Sequence, residues 1–175
     1  MANILIVYSS TDGHTIKICE CLQRQIEAGG HQVHLVAVGD AHAIELQDFD
    51  KIVVGASIRY GKHSKLVIDF IRQHRVALDG KPNAFFSVNI VARKATKNRP
   101  ETNPYLRKFL RQIDWRPRQL AVFAGKLDYP RYGFFDRQMI RLIMLMTKGP
   151  TDPATVVEFT DWQKVAEFGQ AVSEM

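Results

Sequence analysis

The feature that most constrains this chain is an alternation of short apolar runs with helical periodicity, repeated from the first residues almost to the last. Asn3 to Tyr8 is an apolar strand-like run, and Thr15 to Ala28 follows it with Ile18, Leu22 and Ile26 at four-residue spacing, stopped by Gly29-Gly30. Gln32 to Val38 alternates as a second strand, and Lys51 to Ala56 reads as a third, more deeply buried one. Ser64 to Leu78 predicts a helix with Leu66, Phe70 and Ile71 inward, and the turn at Lys81-Pro82 precedes a fourth strand, Ala84 to Ile90. A polar stretch from Arg93 to Thr102 leads to a basic helix from about Pro104 to Ile113 and a fifth strand, Leu120 to Ala124. The turn-rich segment Gly149 to Pro153 precedes a last helix, about Asp161 to Ser173. Strands alternating with helices imply a parallel sheet covered on both faces. Right-handed crossovers then give a doubly wound five-stranded α/β sheet of order 2-1-3-4-5, one domain over residues 1–175. In that topology a ligand sits above the carboxyl ends of the strands, at the switch between strands 1 and 3.

With 175 residues, 46% hydrophobic and 24% charged, such a domain fills its core without a staple. Cys19 and Cys21 point to nearly opposite faces of the first helix, so no local redox or metal pair is expected, and no metal site is assigned. The apolar run Ile4 to Val7 starts almost at Met1 with no basic region before it, so no secretory signal is expected. No apolar run approaches the roughly 18 residues of a membrane span. The formal charge of +6 favours an anionic partner: nucleic acid, lipid or an acidic small molecule. Nucleic acid is not expected, because the basic residues between Arg93 and Arg118 carry no binding motif and no evident stacking platform.

The loop after the first strand, Ser9-Ser10-Thr11-Asp12-Gly13-His14-Thr15, combines hydroxyls with the free N–H groups of a helix N-terminus. It has neither the glycine spacing of a dinucleotide fold nor the lysine of a nucleotide-triphosphate loop, so a monophosphate fits it best. Any one of its polar residues is equally accounted for as a helix cap.

Ser10-x-Asp12-Gly13-x-Thr15 resembles the flavodoxin phosphate loop T-x-T-G-x-T, which implies an FMN phosphate wrapped by Ser9, Ser10, Thr11, Asp12, Gly13, His14 and Thr15. Asp12 departs from the pattern, and it is expected to turn away and cap backbone amides of the first helix. The resemblance also puts the loops Ser57, Ile58, Arg59, Tyr60, Gly61 and Ser87, Val88, Asn89, Ile90 against the flavin ring. Tyr60 would lie beside the ring, and Gly61 would permit close backbone approach. The longer motifs Gly55 to Gly61, Phe86 to Lys94, and Tyr129-Pro-Arg-Tyr132 with Asp136-Arg137 resemble the menaquinone-dependent protoporphyrinogen oxidase family of bacterial haem synthesis. That likeness implies an FMN enzyme, a protoporphyrinogen IX dehydrogenase, that passes six electrons from protoporphyrinogen IX to menaquinone or ubiquinone.

Tyr129 to Lys148 is an insert after the fifth strand. On a helical wheel Phe135, Met139, Leu142, Ile143 and Met146 form an apolar arc opposite Arg137, Arg141 and Lys148. Such a basic amphipathic helix, from about Tyr132 to Lys148, is expected on an anionic membrane surface, or with its apolar arc receiving the porphyrinogen and the quinone, or else packed on the domain's own core. The corresponding location is the cytoplasmic side of the bacterial inner membrane, held peripherally. Arg59, Arg93, Lys94 and Arg131 are candidate partners for substrate propionates. No general base is assigned, His63 being a loop histidine outside the catalytic set. A flavodoxin-type electron carrier and an NAD(P)H:quinone reductase are the alternatives on the same fold.

Overall fold

Residues 1–175 are all described by a computed structural model, and its framework is a parallel sheet built from the predicted runs. β1 (Asn3–Ser9), β2 (Gln32–Ala37), β3 (Lys51–Arg59), β5 (Asn83–Val88) and β6 (Gln119–Phe123) lie in the order β2-β1-β3-β5-β6. All four pairings are parallel. The short β4 (Lys62–His63) folds back antiparallel on the end of β3, so this order is the expected 2-1-3-4-5 with one hairpin strand interposed in the numbering.

Because side chains alternate across a strand, each central strand feeds two cores. Leu5, Val7, Ile52, Val54 and Phe85 face Val67 and Phe70 of α2 (Lys65–Gln73) and Leu106 and Phe109 of α4 (Pro104–Gln112), with Trp115 fully buried beside them. Ile4, Ile6, Val53 and Phe86 face Ile18, Leu22 and Ile26 of α1 (His14–Ala28) and Val165, Phe168 and Val172 of α6 (Trp162–Glu174). Gly55 is required in β3, since a Cβ there would come within 2.1 Å of the Phe86 ring. Lys51 stitches the sheet to α6 by donating from Nζ to the carbonyls of Val172 and Ser173, at 3.1 and 2.7 Å.

Several local expectations are corrected. The helix expected from Ser64 to Leu78 breaks at His74 into α2 and α3 (Arg75–Gly80), and Leu66 faces solvent while Val67, Phe70 and Ile71 turn inward. The fourth major strand stops at Val88, where Asn89 caps a tight turn by accepting from the Ala92 N–H.

The insert is a small module of its own. β7 (Lys126–Asp128) and β8 (Val156–Glu158) form an antiparallel ribbon, and α5 (Phe134–Met146) folds back against it. Leu127, Tyr129, Tyr132 and Met144 make a separate small core, tied by Tyr129 OH to the Pro150 carbonyl at 2.7 Å. Tyr132 accepts there from the Asp128 N–H at 3.1 Å.

Of the basic face expected on α5, Lys148 is exposed but the two arginines turn inward. Arg141 Nε donates to the Thr151 carbonyl at 2.9 Å and Arg137 Nη2 to the Tyr132 carbonyl at 3.3 Å, so both arginines are turned toward the module. The free carbonyls of these turns require donors, and the arginines supply them. The apolar arc is what faces out: Phe134, Phe135, Met139, Leu142, Leu145 and Met146 are all exposed. Ile143, placed on that arc by the wheel, is half-buried instead.

Candidate functional site

A cleft of about 990 Å³, counted out to its open mouth, lies over the carboxyl ends of β1, β3 and β5. Its polar end is the loop entering α1. Gly13, at φ +83°, caps α1 without a side-chain hydrogen bond, and no acidic residue stands in the first turn. The first N–H groups of the helix are therefore unclaimed by any capping side chain, and Ser10, Thr11, His14 and Thr15 line the space before them. Positive dipole, free donors and hydroxyls together make an anion cradle.

Asp12 does not cap the helix. Ser10 Oγ accepts the Gly13 N–H at 3.1 Å, while Asp12 stays exposed in the cleft wall. Its negative charge helps raise the pKa of Arg59, mainly set by a hydrogen bond with Tyr60, and that of Tyr132, mainly set by burial.

The flanking walls come from Ser57, Ile58, Arg59, Tyr60 and Gly61 on one side and Val88, Asn89 and Ile90 on the other. Asn89 is fixed from below by a buried polar network. His63 Nε2 pairs with Ser87 Oγ at 2.8 Å, and Asn89 Nδ2 donates to the same oxygen at 3.2 Å. Ser87 is fully buried and so supports the wall rather than forming it; Ser9 and Gly13 are not part of the lining. His63 lies against the Phe85 and Phe109 rings, and burial pushes its pKa down to about 3. It is a neutral structural hydrogen-bonding group at physiological pH.

The other end of the cleft is apolar. Met139, Ile140, Ile143 and Met144 of α5 roof it, joined by Tyr105 and Tyr132. Met139 and Ile143 belong to the apolar arc expected to receive substrate, whereas Ile140, Met144, Tyr105 and Tyr132 were not expected in the site, nor were Gly125, Lys126 or Asp136, which also line it. Spacing shows an amphipathic helix but not that it folds back over a neighbouring crevice.

Of the four cations expected to meet substrate carboxylates, Arg59 alone lines the cleft. Arg93 is spent on structure: its guanidinium donates to the Ile90 carbonyl, and to the carbonyl and hydroxyl of Thr147, at 3.0–3.2 Å. Lys94 lies outside the cleft, where partial desolvation and then the neighbouring charges of Arg93, Lys97 and Lys148 hold its pKa below the ordinary value. Arg131 is exposed and outside the lining.

His14 bridges the phosphate loop to the ribbon. Thr160 donates its hydroxyl to the Ala124 carbonyl at 2.7 Å, so its oxygen accepts from His14 Nε2–H at 2.6 Å. Burial lowers the pKa of His14, opposed by Glu158 at 4.0 Å from Nδ1.

A family model described as a flavodoxin domain matches residues 5–154. The chain belongs to the flavodoxin-domain family. Among curated proteins it is 46% identical to a Leishmania major protein named protoporphyrinogen IX dehydrogenase [quinone], over 94% of this chain and 71% of that one. It is 42% identical to the Escherichia coli K12 protein of the same name, over 98% of this chain and 94% of that one. Among solved structures it resembles the two-electron reduced flavodoxin of Megasphaera elsdenii, with a TM-score of 0.58 at 15% identity, covering 98% and 99% of the two chains. That last likeness concerns the fold.

Proposed function

We propose that the protein is an FMN-dependent protoporphyrinogen IX dehydrogenase that delivers its electrons to a quinone. The observation that carries this reading is a cleft with an anion cradle at one end and an apolar roof, supplied by the insert, at the other. The near-full-length likeness to two proteins of that name supports it.

The donor set fits FMN. Ser10, Thr11, Thr15 and the α1 N-terminus suit a terminal phosphate, and the Ser57–Gly61 and Val88–Ile90 loops leave a slot for a planar ring. FMN when bound supplies two-electron hydride chemistry, which the side chains here do not possess. Over the complete reaction one protoporphyrinogen IX loses six electrons and six protons, and three quinones become three quinols.

The protein's own part is positional. The α5 roof excludes water from the ring slot, and Ile140, Ile143 and Met144 offer apolar contact to a macrocycle. Arg59, at the mouth, receives a propionate. Anaerobic titration tests this directly: protoporphyrinogen should bleach the bound flavin with no nicotinamide present. Bleaching by NADPH and not by protoporphyrinogen would place the protein among nicotinamide-dependent quinone reductases instead.

The outer face of α5 supports peripheral docking on an anionic membrane, where a lipid quinone resides. Lys148, just past the C-terminal end of that helix, stands near Lys94 and Lys97, and Arg93 to Arg118 holds nine Lys and Arg against two Asp and Glu, a net of +7 in a chain of +6. No helix is long and apolar enough to cross a bilayer. In a bacterium the corresponding place is the cytoplasmic face of the inner membrane.

A further inference from the structure

Two walls of the cleft meet through one carboxylate. Asp136, in the first turn of α5, accepts from Arg59 Nη2 at 2.7 Å and from the Tyr60 hydroxyl. Arg59 and Tyr60 stand on the hairpin between β3 and β4, whose two corner residues, Tyr60 and Gly61, have φ of +49° and +73°. A two-residue turn of this kind accommodates Gly or Asn without strain, and a tyrosine at its first corner is unusual. Here the aromatic residue carries its hydroxyl to Asp136, and the Arg59 guanidinium lies 5.2 Å from its ring. Arg59, Tyr60 and Asp136 all line the mouth, and the Arg59 side chain keeps about half of its surface open to solvent at 49%.

Arg59 is thus a cation already matched to a carboxylate, with the Asp12 charge also within its field. A ligand bearing a propionate brings the same chemical group to the same place. Two carboxylates on one guanidinium repel each other, which favours release of the one held by the fewer contacts. Building on the porphyrinogen reading, we infer that Asp136 occupies the substrate's carboxylate subsite in the free protein, and that a propionate displaces it from Arg59 and Tyr60 on binding. The exchange releases the N-terminal turn of α5 from the β3–β4 hairpin, so the ligand that fits the subsite also frees the roof. Asp136 is then a specificity-determining residue: it sets a toll against ligands that cannot replace it.

The test is equilibrium binding of protoporphyrin IX and of its dimethyl ester to FMN-loaded protein in mild detergent, read by porphyrin absorption. Asp136→Asn should tighten the dicarboxylate about fivefold, the scale of one exposed charge contact, and leave the ester unchanged. Arg59→Gln should weaken the dicarboxylate about tenfold without affecting the ester. In the Arg59→Gln background Asp136→Asn should no longer tighten anything. If Asp136→Asn weakens both ligands alike, the carboxylate is part of the wall and the exchange does not occur. If Arg59→Gln leaves the preference for the free acid intact, the subsite lies elsewhere. Failure of wild-type protein to bind either porphyrin would sink the porphyrinogen reading itself, and this inference with it, whereas the other two results leave that reading standing.

Discussion

Asn103 and Asn89 exchange side-chain hydrogen bonds beneath the cleft, Asn103 Nδ2 to Asn89 Oδ1 at 3.1 Å and Asn89 Nδ2 to Asn103 Oδ1 at 3.3 Å. Asn103 also caps α4, accepting from the Leu106 N–H, and it is fully buried. Asn103→Ala removes the cap and leaves Asn89 half-satisfied away from water, a cost of about 2–4 kcal/mol in stability. Chemical denaturation measures that cost. Because Asn89 lines the site, FMN affinity should fall as well, and a variant that melts early but binds flavin normally would show that the network does not position the wall.

The phosphate cradle makes a separate prediction. Ser10→Ala together with Thr15→Val should weaken FMN, each lost charge-assisted hydrogen bond costing on the order of 1.5–3 kcal/mol. Ser10 also accepts the Gly13 N–H, so its loss additionally loosens the turn. Fluorescence titration with riboflavin, which lacks the phosphate, separates the two effects: riboflavin affinity should barely change.

Asp12→Asn removes a negative charge beside the proposed phosphate position and breaks no cap, since Asp12 makes none. FMN should bind equally or more tightly, with the melting temperature unchanged. A large loss of affinity in the same titration would mean that Asp12 holds the flavin chain directly.

Burial lowers the His63 pKa from 6.5 to about 3, so folding favours the neutral ring. The unfolded chain then binds the extra proton first. The stabilisation is complete above pH 6.5 and is lost as pH falls from there toward 3, by on the order of 4 kcal/mol in total. His63→Gln should flatten much of that acid slope in denaturation curves recorded between pH 7 and 4. An unchanged slope would assign acid sensitivity to other groups.

The orientation of α5 moves its arginines from the expected lipid contact to structural bonds and leaves its apolar arc facing out. Leu142→Asp with Leu145→Asp should release the protein from anionic vesicles, leaving flavin binding intact, because both side chains are exposed. Charge reversal at Lys94, Lys97 and Lys148 should do the same in a salt-sensitive manner. Arg141→Glu should instead destabilise the insert by breaking its bond to the Thr151 carbonyl. Vesicle sedimentation alongside thermal melts distinguishes these outcomes.

What the sequence made legible was local. Strand alternation exposed the five parallel strands, and the Ser10 to Thr15 loop announced its hydroxyls and helix N-terminus because those residues are neighbours in the chain. What stayed hidden depended on long-range return. A helical wheel groups Arg137 with Arg141 but cannot say which arc meets the protein, and here the carbonyls of Tyr132 and Thr151 decided it. Leu66 misled for the same reason, its place on the wheel being next to that of Phe70. Asp136 and Ile140 became cleft residues only because the insert folds back over the sheet, and the two-residue strand at Lys62-His63 is too short to leave a periodicity.

The most direct test of the whole account is porphyrin formation under anaerobic conditions. Purified protein loaded with FMN is mixed with protoporphyrinogen IX, with and without a quinone, and porphyrin fluorescence is followed against a protein-free blank. The account predicts multiple turnovers with quinone and, without it, oxidation limited to the reducing equivalents the bound flavin can hold. Fluorescence that never rises above the blank in the quinone-containing reaction would contradict it.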